Sequence, residues 1–562
     1  MHDGRLELAA AEEKFDNIKR SGGPPLKAIA WLLEESGLRP ADIDAVAHAG
    51  MVPPSRLSGG PDYDEPHGLG AARRLYASAE YRLFGSAMGR ATFRAHRRLR
   101  RPRAAAGRED LRRLLASTFG FPADRMRWVE HHACHAHASA GFFGDDGRDW
   151  LILTMDAAGD DHFATVNRFS GGQIQRLAST GWEHSLGWMY ARTTEFLGLR
   201  RGEHHKLMGL AAYPSAEDYS ETLGEVFEGV AWLRPGSLEF DSRIPMYRFD
   251  RHLRQTAVGR RFDYVAAAAQ ALLEELVVQW VGRAIELTGI PNVMTGGGVF
   301  MNVKVNKRVQ ELPEVRQIRF MPSCGDETNP IGAAFKIARD AGEDVAVEDG
   351  LYLGPRYGEE QVRDFVDRNG LRDRYGVTQL GDPEAEIAEL IARKEIVGRV
   401  AGRAELGARA LGNRSILAHP GDLRSFYTVN DQIKERDFWM PFAPAVLEED
   451  AGRYLLRPPE HGAPYMITAF DTTPAARDDL RAAIHQKDLT VRPQLVTAAA
   501  NRRFHRLLTE FKTRTGIGGV LSTSLNIHGY PLAATLDQAL FTFERSGLRY
   551  LVLEDTMLKK DA

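Results

Sequence analysis

The feature that most constrains the fold of this chain is a repeated order of strand, polar turn and helix. The segment NVMTGGG (292–298) has the pattern of a strand running into a glycine turn, and a helix is predicted to follow from about Phe300 to Val309. The segment IRFMPSCGDETNPIGAAFKIARD (318–340) repeats that order. Alternating strands and helices are typical of α/β proteins. The sequence therefore predicts an α/β fold.

Three more strands are predicted before the glycine turn. The region 150–179 contains the runs WLILTMDA, HFATVNRFS and QIQRLAST, which are rich in β-branched residues and are separated by Gly-Asp-Asp and Gly-Gly turns. Short runs of this kind between turn residues are typical of a β-meander. Helices are predicted at 27–36 and 262–288 from their apolar spacing, and residues 52–70, which are rich in Pro and Gly, are predicted to be loop.

The length of the chain predicts more than one domain. A chain of 562 residues is too long for one compact core, so two or three domains are expected. Residues 341–362 are acidic and weakly periodic, which places the boundary there and predicts domains at 1–345 and 346–562. The strand candidates EIVGRVAG (395–402) and GIGGVLSTSLN (516–526) follow the boundary. We therefore expect a second α/β domain.

The composition excludes several classes of protein. A hydrophobic fraction of 43% is too high for a disordered chain, and a net charge of −3 argues against a surface that binds nucleic acid throughout. The sequence has no run of 18 apolar residues, and its charged start lacks the apolar segment of a signal peptide. Two cysteines, Cys134 and Cys324, indicate a reducing compartment. We expect a cytoplasmic protein without a membrane partner.

The segment EHHACHAHASAGFF (130–143) carries the densest candidate site. His131 and His135 are four residues apart, which puts both imidazoles on one face of a helix, close enough to share a metal ion. Asp156 ends a predicted strand and Asp326 precedes a predicted helix, so both carboxylates would project into the crevice where α/β proteins bind ligands. Two imidazoles and two carboxylates suit Fe(II) or Mn(II) better than structural zinc.

Each of these residue types also has a structural interpretation. Asp160, Asp161 and Asp326 are of the type that forms ordinary turns and helix N-caps. His132 and His137 are not needed by the histidine pair, and they either contact substrate or form polar surface. Four histidines within seven residues favour a functional site over the structural alternative.

The glycine turn is a second candidate site. Gly296–Gly298 have no side chains, so their backbone N–H groups can approach a phosphate or ribose closely. Asn302 and Asn306 share one face of the following helix and can hydrogen-bond a ligand. The alternative is a plain tight turn, and the segment lacks the Lys-Ser/Thr pair of a Walker A motif.

The second half of the chain holds basic side chains within glycine-containing segments. Arg403, Arg409 and Arg414 lie among glycines in GRAELGARALGNRSILAHP, and Lys434 and Arg436 follow in VNDQIKERDFWMPFAP. Guanidinium and ammonium groups clustered in this way suit phosphate oxygens. Further polar candidates in this half are His485, Asp488, Arg492 and the hydroxyl and amide groups of STSLNIHG (522–529). The alternative for these arginines is a solvated face.

A separate basic stretch lies in the first half. Seven arginines occur between Arg90 and Arg103, with no acidic residue among them. The stretch forms either a solvated helix face or an electrostatic lip for an anionic ligand.

Together these motifs show that the chain resembles the O-carbamoyltransferase family of the NodU/CmcH/TobZ type. The matching strings are EHHACHA, LTMDAAGDD, SLGWMYARTTEFLGL, GEHHKLMGLAAY, GGGVFMN, GDETNPIGAA, GRAELGARALGNRSIL, MPFAPAVLEE and TSLNIHGYP, in the family's order. The resemblance runs from AAAEEKFDNIK (9–19) to LVLEDTMLKK (551–560). It implies a TsaD-like N-terminal domain with a duplicated actin/Hsp70-like, ribonuclease H-like fold. It also implies a YrdC-like α/β C-terminal domain.

The resemblance implies an ATP-dependent O-carbamoyltransferase. In such enzymes carbamoyl phosphate and ATP, with Mg²⁺, give carbamoyladenylate in the C-terminal domain. The N-terminal domain, which holds Fe²⁺, passes the carbamoyl group to a hydroxyl. The implied partner is a small hydroxylated acceptor, an antibiotic or a sugar-containing natural product, which would make the enzyme a tailoring enzyme of natural-product biosynthesis. Nucleic acid is not expected as a partner, and a homodimer is left open.

The resemblance also assigns residues to roles. The implied metal ligands are His131, His135, Asp156 and Asp326. The residues implied to hold the adenylate are Gly296, Gly297, Gly298 and Asn302. The residues implied to bind carbamoyl phosphate and the ATP phosphates are Arg409, Lys434, Arg492 and Ser524. The implied catalytic residues are His132, Lys206, Arg409 and Lys434.

This sequence departs from the family pattern at two places that bear on function. The family begins with a strand and a His-Asp motif ahead of the segment that starts here at Asp3, so no acceptor-side base is assigned. Met440 stands where the family's R-P-F-A-P string has its arginine. Two alternatives stay open: a tRNA threonylcarbamoyl-type modifier, in which the arginine stretch between Arg90 and Arg103 would serve RNA, and a non-catalytic, actin-like nucleotide-binding protein.

Overall fold

A computed structural model describes residues 1–51, 81, 84, 86, 105–348, 350–460 and 462–561. The predicted loop at 52–70 and the arginine stretch between Arg90 and Arg103 lie outside the described residues. Contacts divide the chain into two compact units. The first unit comprises Met1–Leu6, Gly22–Pro25 and Ala30–Val347, and the second comprises Glu7–Ser21, Leu26–Ile29 and Glu348–Ala562.

A five-stranded sheet forms the centre of the first unit. Its strands lie in the order Gln317–Phe320, Asn292–Gly296, Trp150–Gly159, His162–Ser170 and Gln173–Gly181. The first three strands are parallel to one another, and the last three form an antiparallel meander. The structure thus confirms the predicted α/β fold, the meander and the strand that runs into the glycine turn.

Helices cover both faces of this sheet. The helices of the first unit with full bounds are His131–Phe143, Leu186–Phe196, His204–Leu210, Ala216–Thr222, Phe249–Thr256, Phe262–Thr288, Val303–Gln310 and Asn329–Asp340, and residues 105–119 are also helical. Trp150 and Ile152 pack with Ala136 and Ala140 of the first of these helices. Because neighbouring strand residues point to opposite faces, Leu151 packs on the other side of the sheet.

The helix Phe262–Thr288 has the bounds that the sequence predicted. It is long and apolar enough to cross a membrane, with a mean hydropathy of 1.2, but 67% of its most apolar window is buried inside the protein. Among its buried residues are Val265, Leu273, Trp280 and Ile285. The helix is therefore the core helix of this unit.

Two helices of the first unit cross at close range. A Cβ atom added to Gly332 would lie 1.8 Å from the carbonyl oxygen of Cys134, so the backbones of Asn329–Asp340 and His131–Phe143 are in direct contact there. A side chain on Gly141 would meet the ring of Phe335 at 2.2 Å. Glycine at both positions lets the two helices approach closely.

An eight-stranded mixed sheet forms the centre of the second unit. Its strands lie in the order Gly376–Gln379, Thr556–Lys559, Tyr550–Leu553, Val397–Val400, Arg414–Ala418, Gly519–Ser524, Ala443–Leu447 and Gln494–Val496. The helices are Glu13–Asp16, Glu359–Arg368, Pro383–Ala392, Leu423–Thr428, Ala451–Tyr454, Pro474–Asp479, Arg502–Thr515 and Leu536–Glu544. Tyr550 and Val552 belong to one core and Leu551 and Leu553 to another, as alternation along a strand requires.

The N-terminal residues Glu7–Ser21 lie in the second unit, although the predicted division placed all of 1–345 in the first domain. Lys14 is the anchor of this segment. It is 3% exposed, and its ammonium donates to the carbonyl oxygens of Gly407 at 3.2 Å and Leu532 at 3.3 Å. The Gln538 amide donates to the Lys14 carbonyl oxygen at 2.9 Å. These bonds explain why the segment belongs with a unit that follows it by more than 300 residues.

Candidate functional site

The predicted metal ligands converge in the first unit. The Nε2 atoms of His131 and His135 are 3.2 Å apart. The Asp156 Oδ2 atom lies 3.8 Å and 3.3 Å from these two nitrogens, and the Asp326 Oδ1 atom lies 3.4 Å and 3.5 Å from them. One ligand atom from each residue lies within 4.8 Å of all the others. Four side chains from three separate parts of the sequence thus share one centre.

The spacing of these atoms fits one metal ion. Ligand atoms that lie about 2.1 Å from an ion are roughly 3.0 Å apart at right angles and about 3.4 Å apart at tetrahedral angles. The observed separations of 3.2–3.8 Å are close to these values. Asp326 is 70% exposed, whereas His135 is 1% exposed, so the centre opens to solvent on the side of Asp326.

The charges at this centre are strongly coupled. Burial alone would lower the pKa of His135, but the hydrogen bonds and charges of Asp156 and Asp326 outweigh burial and raise that pKa to about 9. Burial of Asp156 opposes its ionisation, but His131 and His135 hold its pKa well below the usual range. Two carboxylates that stabilise a protonated imidazole here would also stabilise a metal cation, which would compete with that proton for His135.

The glycine turn supports Asp156, one of the predicted metal ligands. Gly297 has φ of +94°, and a Cβ atom there would lie 2.3 Å from the Met155 carbonyl oxygen, so only glycine fits. The backbone N–H of Gly298 donates to Asp156 Oδ2 at 3.1 Å. A Cβ on Gly296 would lie 3.2 Å from the His135 carbonyl oxygen. The predicted adenylate contact of Gly296, Gly297 and Gly298 stays a prediction, and the structure adds a second role for them beside the metal ligands.

Two polar residues that were not predicted as site residues complete this centre. Asn329 Nδ2 donates to Asp326 Oδ1 at 3.1 Å and lies 3.4 Å from the His135 Nε2 atom. Asp160 Oδ2 accepts hydrogen bonds from the backbone N–H of His131 at 2.8 Å and of Met51 at 2.7 Å. Asp160 has φ of +44°, as its interpretation as a turn residue implied. Through its bond to the His131 N–H, the Asp160 carboxylate also stabilises the first turn of the helix His131–Phe143.

His132 lies in the interior of the first unit. The residue is 0% exposed, its Nδ1 atom is 2.8 Å from Thr154 Oγ1, and Thr154 is in turn 2.6 Å from Thr165 Oγ1. Burial and the neighbouring His131 and His135 hold the pKa of His132 well below its usual range. This environment favours a role in fixing the helix on the sheet. The predicted catalytic role stays a prediction.

Lys206 and Asn302 are both engaged within the fold. The Lys206 ammonium pairs with Glu203 at 2.8 Å, on a helix that begins at His204. The Asn302 side chain accepts hydrogen bonds from two backbone N–H groups of the helix Val303–Gln310 and donates to Gln270 Oε1 at 2.8 Å. Asn302 is therefore the N-cap, and the helix begins at Val303, whereas it was predicted to begin at about Phe300. The predicted ligand contacts of both residues stay predictions.

The second unit contains a cluster of cationic side chains, of which Lys434 is buried and Arg409, Arg436 and Arg492 are half-buried. The Lys434 ammonium is 3% exposed and donates to Ser524 Oγ at 3.1 Å, to the Asn526 carbonyl oxygen at 2.9 Å, and to the Ser524 carbonyl and Asn526 Oδ1 atoms. Burial lowers the pKa of Lys434 well below its usual range, and the charge of Arg436 lowers it further. The structure thus brings the predicted residues Lys434 and Ser524 into contact.

Arg492 joins this cluster with Arg409. Its Nη1 donates to the Met466 carbonyl oxygen at 3.3 Å. Burial lowers the pKa of Arg492 well below its usual range, and the nearby charges of Arg409 and Arg436 act in the same direction. Like charges held together in a partly buried place make this a candidate anion site, because an anion would relieve their repulsion.

Arg414 does not take part in this cluster, although its loop was predicted to bind phosphate. The residue is 0% exposed. Its guanidinium donates to the carbonyl oxygens of Ala401 and Pro355, each at 2.9 Å. Glu405 Oε1 accepts the backbone N–H groups of Leu411 at 2.7 Å and of Arg414 at 3.1 Å. Arg414 and Glu405 therefore stabilise the glycine-containing segment 402–414 by bonding to backbone groups. The prediction that Arg414 binds phosphate was wrong.

Comparisons with known proteins identify the family of this chain. The family model described as Carbamoyltransferase N-terminus matches residues 111–335, and that described as Carbamoyltransferase C-terminus matches residues 388–560. Nodulation protein NolNO of Sinorhizobium fredii is 28% identical over 100% of this chain and 78% of its own length. Protein MJ1058 of Methanocaldococcus jannaschii is 30% identical over 77% of this chain and 73% of its own length. The 3'-hydroxymethylcephem-O-carbamoyltransferase of Amycolatopsis lactamdurans is 28% identical over 64% of this chain and 66% of its own length.

The chain therefore belongs to the carbamoyltransferase family and is a transferase enzyme. The resemblance found in its motifs is confirmed. A solved structure of full-length HypF overlaps 40% of this chain at 14% identity, but its TM-score of 0.28 is too low to bear on the fold.

Proposed function

We propose that this protein is an ATP-dependent O-carbamoyltransferase that makes carbamoyladenylate in its second unit and transfers the carbamoyl group to a small-molecule hydroxyl in its first. Carbamoyl phosphate first loses its phosphate to water. The oxygen of the resulting carbamate then attacks the α-phosphorus of ATP, and the bond to pyrophosphate breaks. The acceptor hydroxyl oxygen finally bonds to the carbamoyl carbon, AMP leaves with its electron pair, and the hydroxyl proton is released.

The cationic side chains of the second unit support the adenylation half of this proposal. Carbamate is a poor electrophile, and adenylation supplies AMP as a leaving group. Carbamoyl phosphate and ATP both carry phosphate charge, and Lys434, Arg492 and Arg409 supply positive charge that would stabilise it. Ser524 adds a hydroxyl next to the Lys434 ammonium. Mg²⁺ would accompany ATP in this pocket.

The convergence of His131, His135, Asp156 and Asp326 is the observation that carries the transfer half. These four residues would hold Fe²⁺, since two imidazoles and two carboxylates with room for another ligand suit a divalent ion of this kind. When bound, the ion would supply Lewis acidity to an oxygen of the carbamoyl group or the acceptor. Asp160, Asn329 and the Gly298 N–H orient the four ligands through the hydrogen bonds described above.

The sheet orders support the finer fold proposal. An antiparallel meander followed by two parallel strands is the arrangement we expect for a ribonuclease H-like half of an actin/Hsp70-like domain. We assign the mixed eight-stranded sheet to a YrdC-like domain. We also propose a cytoplasmic location, since both cysteines are buried without a disulfide.

The acceptor is proposed to be a hydroxylated natural product. One relative is by its name a 3'-hydroxymethylcephem O-carbamoyltransferase, and others are nodulation proteins. The purified protein would be incubated with carbamoyl phosphate, ATP, Mg²⁺ and a panel of antibiotics and sugar-containing natural products. We expect release of pyrophosphate and AMP, and an acceptor whose mass grows by one CONH group. Pyrophosphate and AMP released only with tRNA as acceptor would contradict the proposal and favour a tRNA modifier. ATP binding without pyrophosphate release would favour a non-catalytic protein.

A further inference from the structure

One buried lysine near the start of the chain joins two loops of the second unit. Lys14 lies on the short helix Glu13–Asp16 and is 3% exposed. Its Nζ donates to the Gly407 carbonyl oxygen at 3.2 Å and to the Leu532 carbonyl oxygen at 3.3 Å. Because the two acceptors belong to different loops, a single ammonium group ties these loops together.

The first of these loops carries Arg409. Its start is fixed by Leu406, whose N–H donates to the Leu351 carbonyl oxygen at 2.8 Å. Its end is fixed by Glu405 Oε1, which accepts the Leu411 N–H at 2.7 Å. Between these fixed points, the bond from Lys14 holds the carbonyl of Gly407, two residues before Arg409. A shift of Gly407 would therefore move the backbone that carries this arginine.

The second loop, residues 525–533, follows Ser524, whose Oγ lies 3.1 Å from the Lys434 ammonium. The N–H of its last residue donates to the carbonyl oxygen of its first residue at 3.0 Å, so the loop is closed at its base. Leu532 lies within this loop and accepts the second bond of Lys14. The lysine thus connects a loop that carries one candidate phosphate-binding residue with a loop that begins directly after another.

Lys14 is itself held in place by the second unit. The Gln538 amide donates to the Lys14 carbonyl oxygen at 2.9 Å, and a Glu13 carboxylate oxygen lies 3.8 Å from the ammonium. Burying an ammonium is costly even when it is hydrogen-bonded, and a methionine would fill a similar space without that cost. An ammonium at this position therefore indicates a need for its two directed bonds.

We propose that Lys14 is a positioning residue of the adenylation step, whose ammonium fixes the loop of Arg409 relative to the loop that follows Ser524. The proposal rests on the proposed function, in which both of these residues bind phosphate groups. Lys14 acts through the carbonyl groups of Gly407 and Leu532 and does not contact substrate. Donors that are aligned before the reaction stabilise developing charge without reorganisation. A displacement of about 1 Å can slow a reaction roughly 100-fold.

The competing interpretation is a lysine that only anchors the N-terminal residues. In that case replacing Lys14 would lower stability but leave the kinetics of the folded enzyme unchanged. Lys560 provides the comparison, because its Nζ also donates to two carbonyl oxygens, of Phe543 at 2.5 Å and of Ser546 at 2.7 Å. Neither of these acceptors lies in the two loops that Lys14 connects.

The test uses the full-length protein and four variants. Lys14→Met removes both bonds, Lys14→Gln is too short to reach both carbonyl groups, and Lys14→Arg keeps a long cationic donor. Lys560→Met is the matched control, since it removes two ammonium–carbonyl bonds elsewhere in the same unit. Pyrophosphate release would be measured at varied carbamoyl phosphate and ATP with Mg²⁺, to obtain kcat and KM. Hydrogen exchange, followed by mass spectrometry, would report on residues 403–412 and 525–534.

We expect Lys14→Met and Lys14→Gln to exchange faster in both loops and to lose about 10–100-fold in kcat/KM. Lys14→Arg should retain most of the activity, and Lys560→Met all of it with unchanged exchange in the two loops. Wild-type kcat and KM in a folded Lys14→Met variant would overturn the proposal and leave the anchoring interpretation. If Lys14→Met does not fold, wild-type kcat and KM in Lys14→Gln would overturn the proposal equally.

The experiment also separates this inference from the proposed function, because hydrogen exchange needs no activity. Faster exchange in both loops of Lys14→Met, in a protein whose wild type releases no pyrophosphate from ATP and carbamoyl phosphate, would uphold the link between the loops and refute the proposed reaction. Normal pyrophosphate release by both the wild type and Lys14→Met would uphold the reaction and refute the positioning role.

Discussion

Replacing Gly297 by alanine should disturb the metal centre without touching any of its ligands. Gly297 has φ of +94°, and the added Cβ would lie 2.3 Å from the Met155 carbonyl oxygen. Met155 precedes the ligand Asp156, whose Oδ2 accepts the N–H of Gly298 at 3.1 Å. The new methyl group must therefore displace backbone that carries the ligand or backbone that orients it.

The size of the effect follows from two contributions. Gly297 combines its positive φ with a ψ of 150°, a backbone region that essentially only glycine adopts, and holding an alanine there costs about 1–3 kcal/mol. Forcing a methyl group against packed backbone typically costs about 1–3 kcal/mol more. We therefore expect Gly297→Ala to lower the free energy of unfolding by roughly 2–6 kcal/mol. Loss of the hydrogen bond from the Gly298 N–H to Asp156 should weaken metal binding about 10–100-fold.

Gly289→Ala is the matched control. Gly289 has φ of +71° at the end of the helix Phe262–Thr288, but nothing lies within 4 Å of its added Cβ. Its ψ of 9° puts Gly289 in the left-handed helical region, which costs an alanine about 1–2 kcal/mol, and Gly289 lacks the collision. Both variants would be compared by thermal unfolding without metal and by competition for Fe²⁺ or Mn²⁺ with a coloured chelator. If Gly297→Ala matches Gly289→Ala in both measurements, the close approach at Met155 does not support the centre and the reasoning fails.

Four further changes test other parts of the structure. His135→Ala should lose metal binding and carbamoyl transfer while pyrophosphate release from ATP and carbamoyl phosphate continues; equal loss of both activities would contradict the assignment of adenylation to the second unit. Arg409→Ala should abolish carbamoyladenylate formation at unchanged metal content, measured by elemental analysis, and normal adenylate formation would exclude it from the pocket. Glu405→Gln weakens charge-assisted bonds to the glycine loop and should lower the free energy of unfolding by about 1–3 kcal/mol in urea titrations, whereas wild-type stability would show that the charge is not needed. His252 is buried and bonded to the Val226 carbonyl oxygen at 2.7 Å, and burial lowers its pKa. The unfolded state therefore binds more protons than the folded state below the ordinary pKa of about 6.5, so stability should fall as pH drops through that value, with a smaller slope in His252→Gln. An identical slope in both proteins would assign the acid sensitivity to other groups.

The sequence was most informative where one local pattern determines the structure. The helix Phe262–Thr288 was predicted with the right bounds because its apolar spacing persists over 27 residues and ends at Gly289, which adopts the left-handed conformation common after helices. The convergence of the four predicted metal ligands could be predicted because helical spacing aligns His131 with His135 and because strand ends bring carboxylates such as Asp156 to the same edge.

The failures come from partners that are distant in the sequence. Lys14 is held by carbonyl groups 393 and 518 residues further along the chain, and no periodicity within a short segment reports such partners. Arg414 stands among glycines and resembles a phosphate-binding arginine. Its burial depends on the carbonyl groups of Ala401 and Pro355, which become neighbours only when the sheet forms. The ligand contact of Asn302 stays a prediction, and the structure adds that its side chain caps the helix Val303–Gln310.

The contact between Gly332 and the Cys134 carbonyl oxygen has a consequence for how this centre could diverge among relatives. His131 and His135 lie on one of these helices, Asn329 begins the other, and Asp326 lies just before it. The distance between the two helix axes therefore sets the size of the candidate metal site. A single methyl group at position 332 would widen this site without altering any donor atom. A substitution at this position, which does not contact the ion, would therefore change the preference of the site between a smaller and a larger divalent ion.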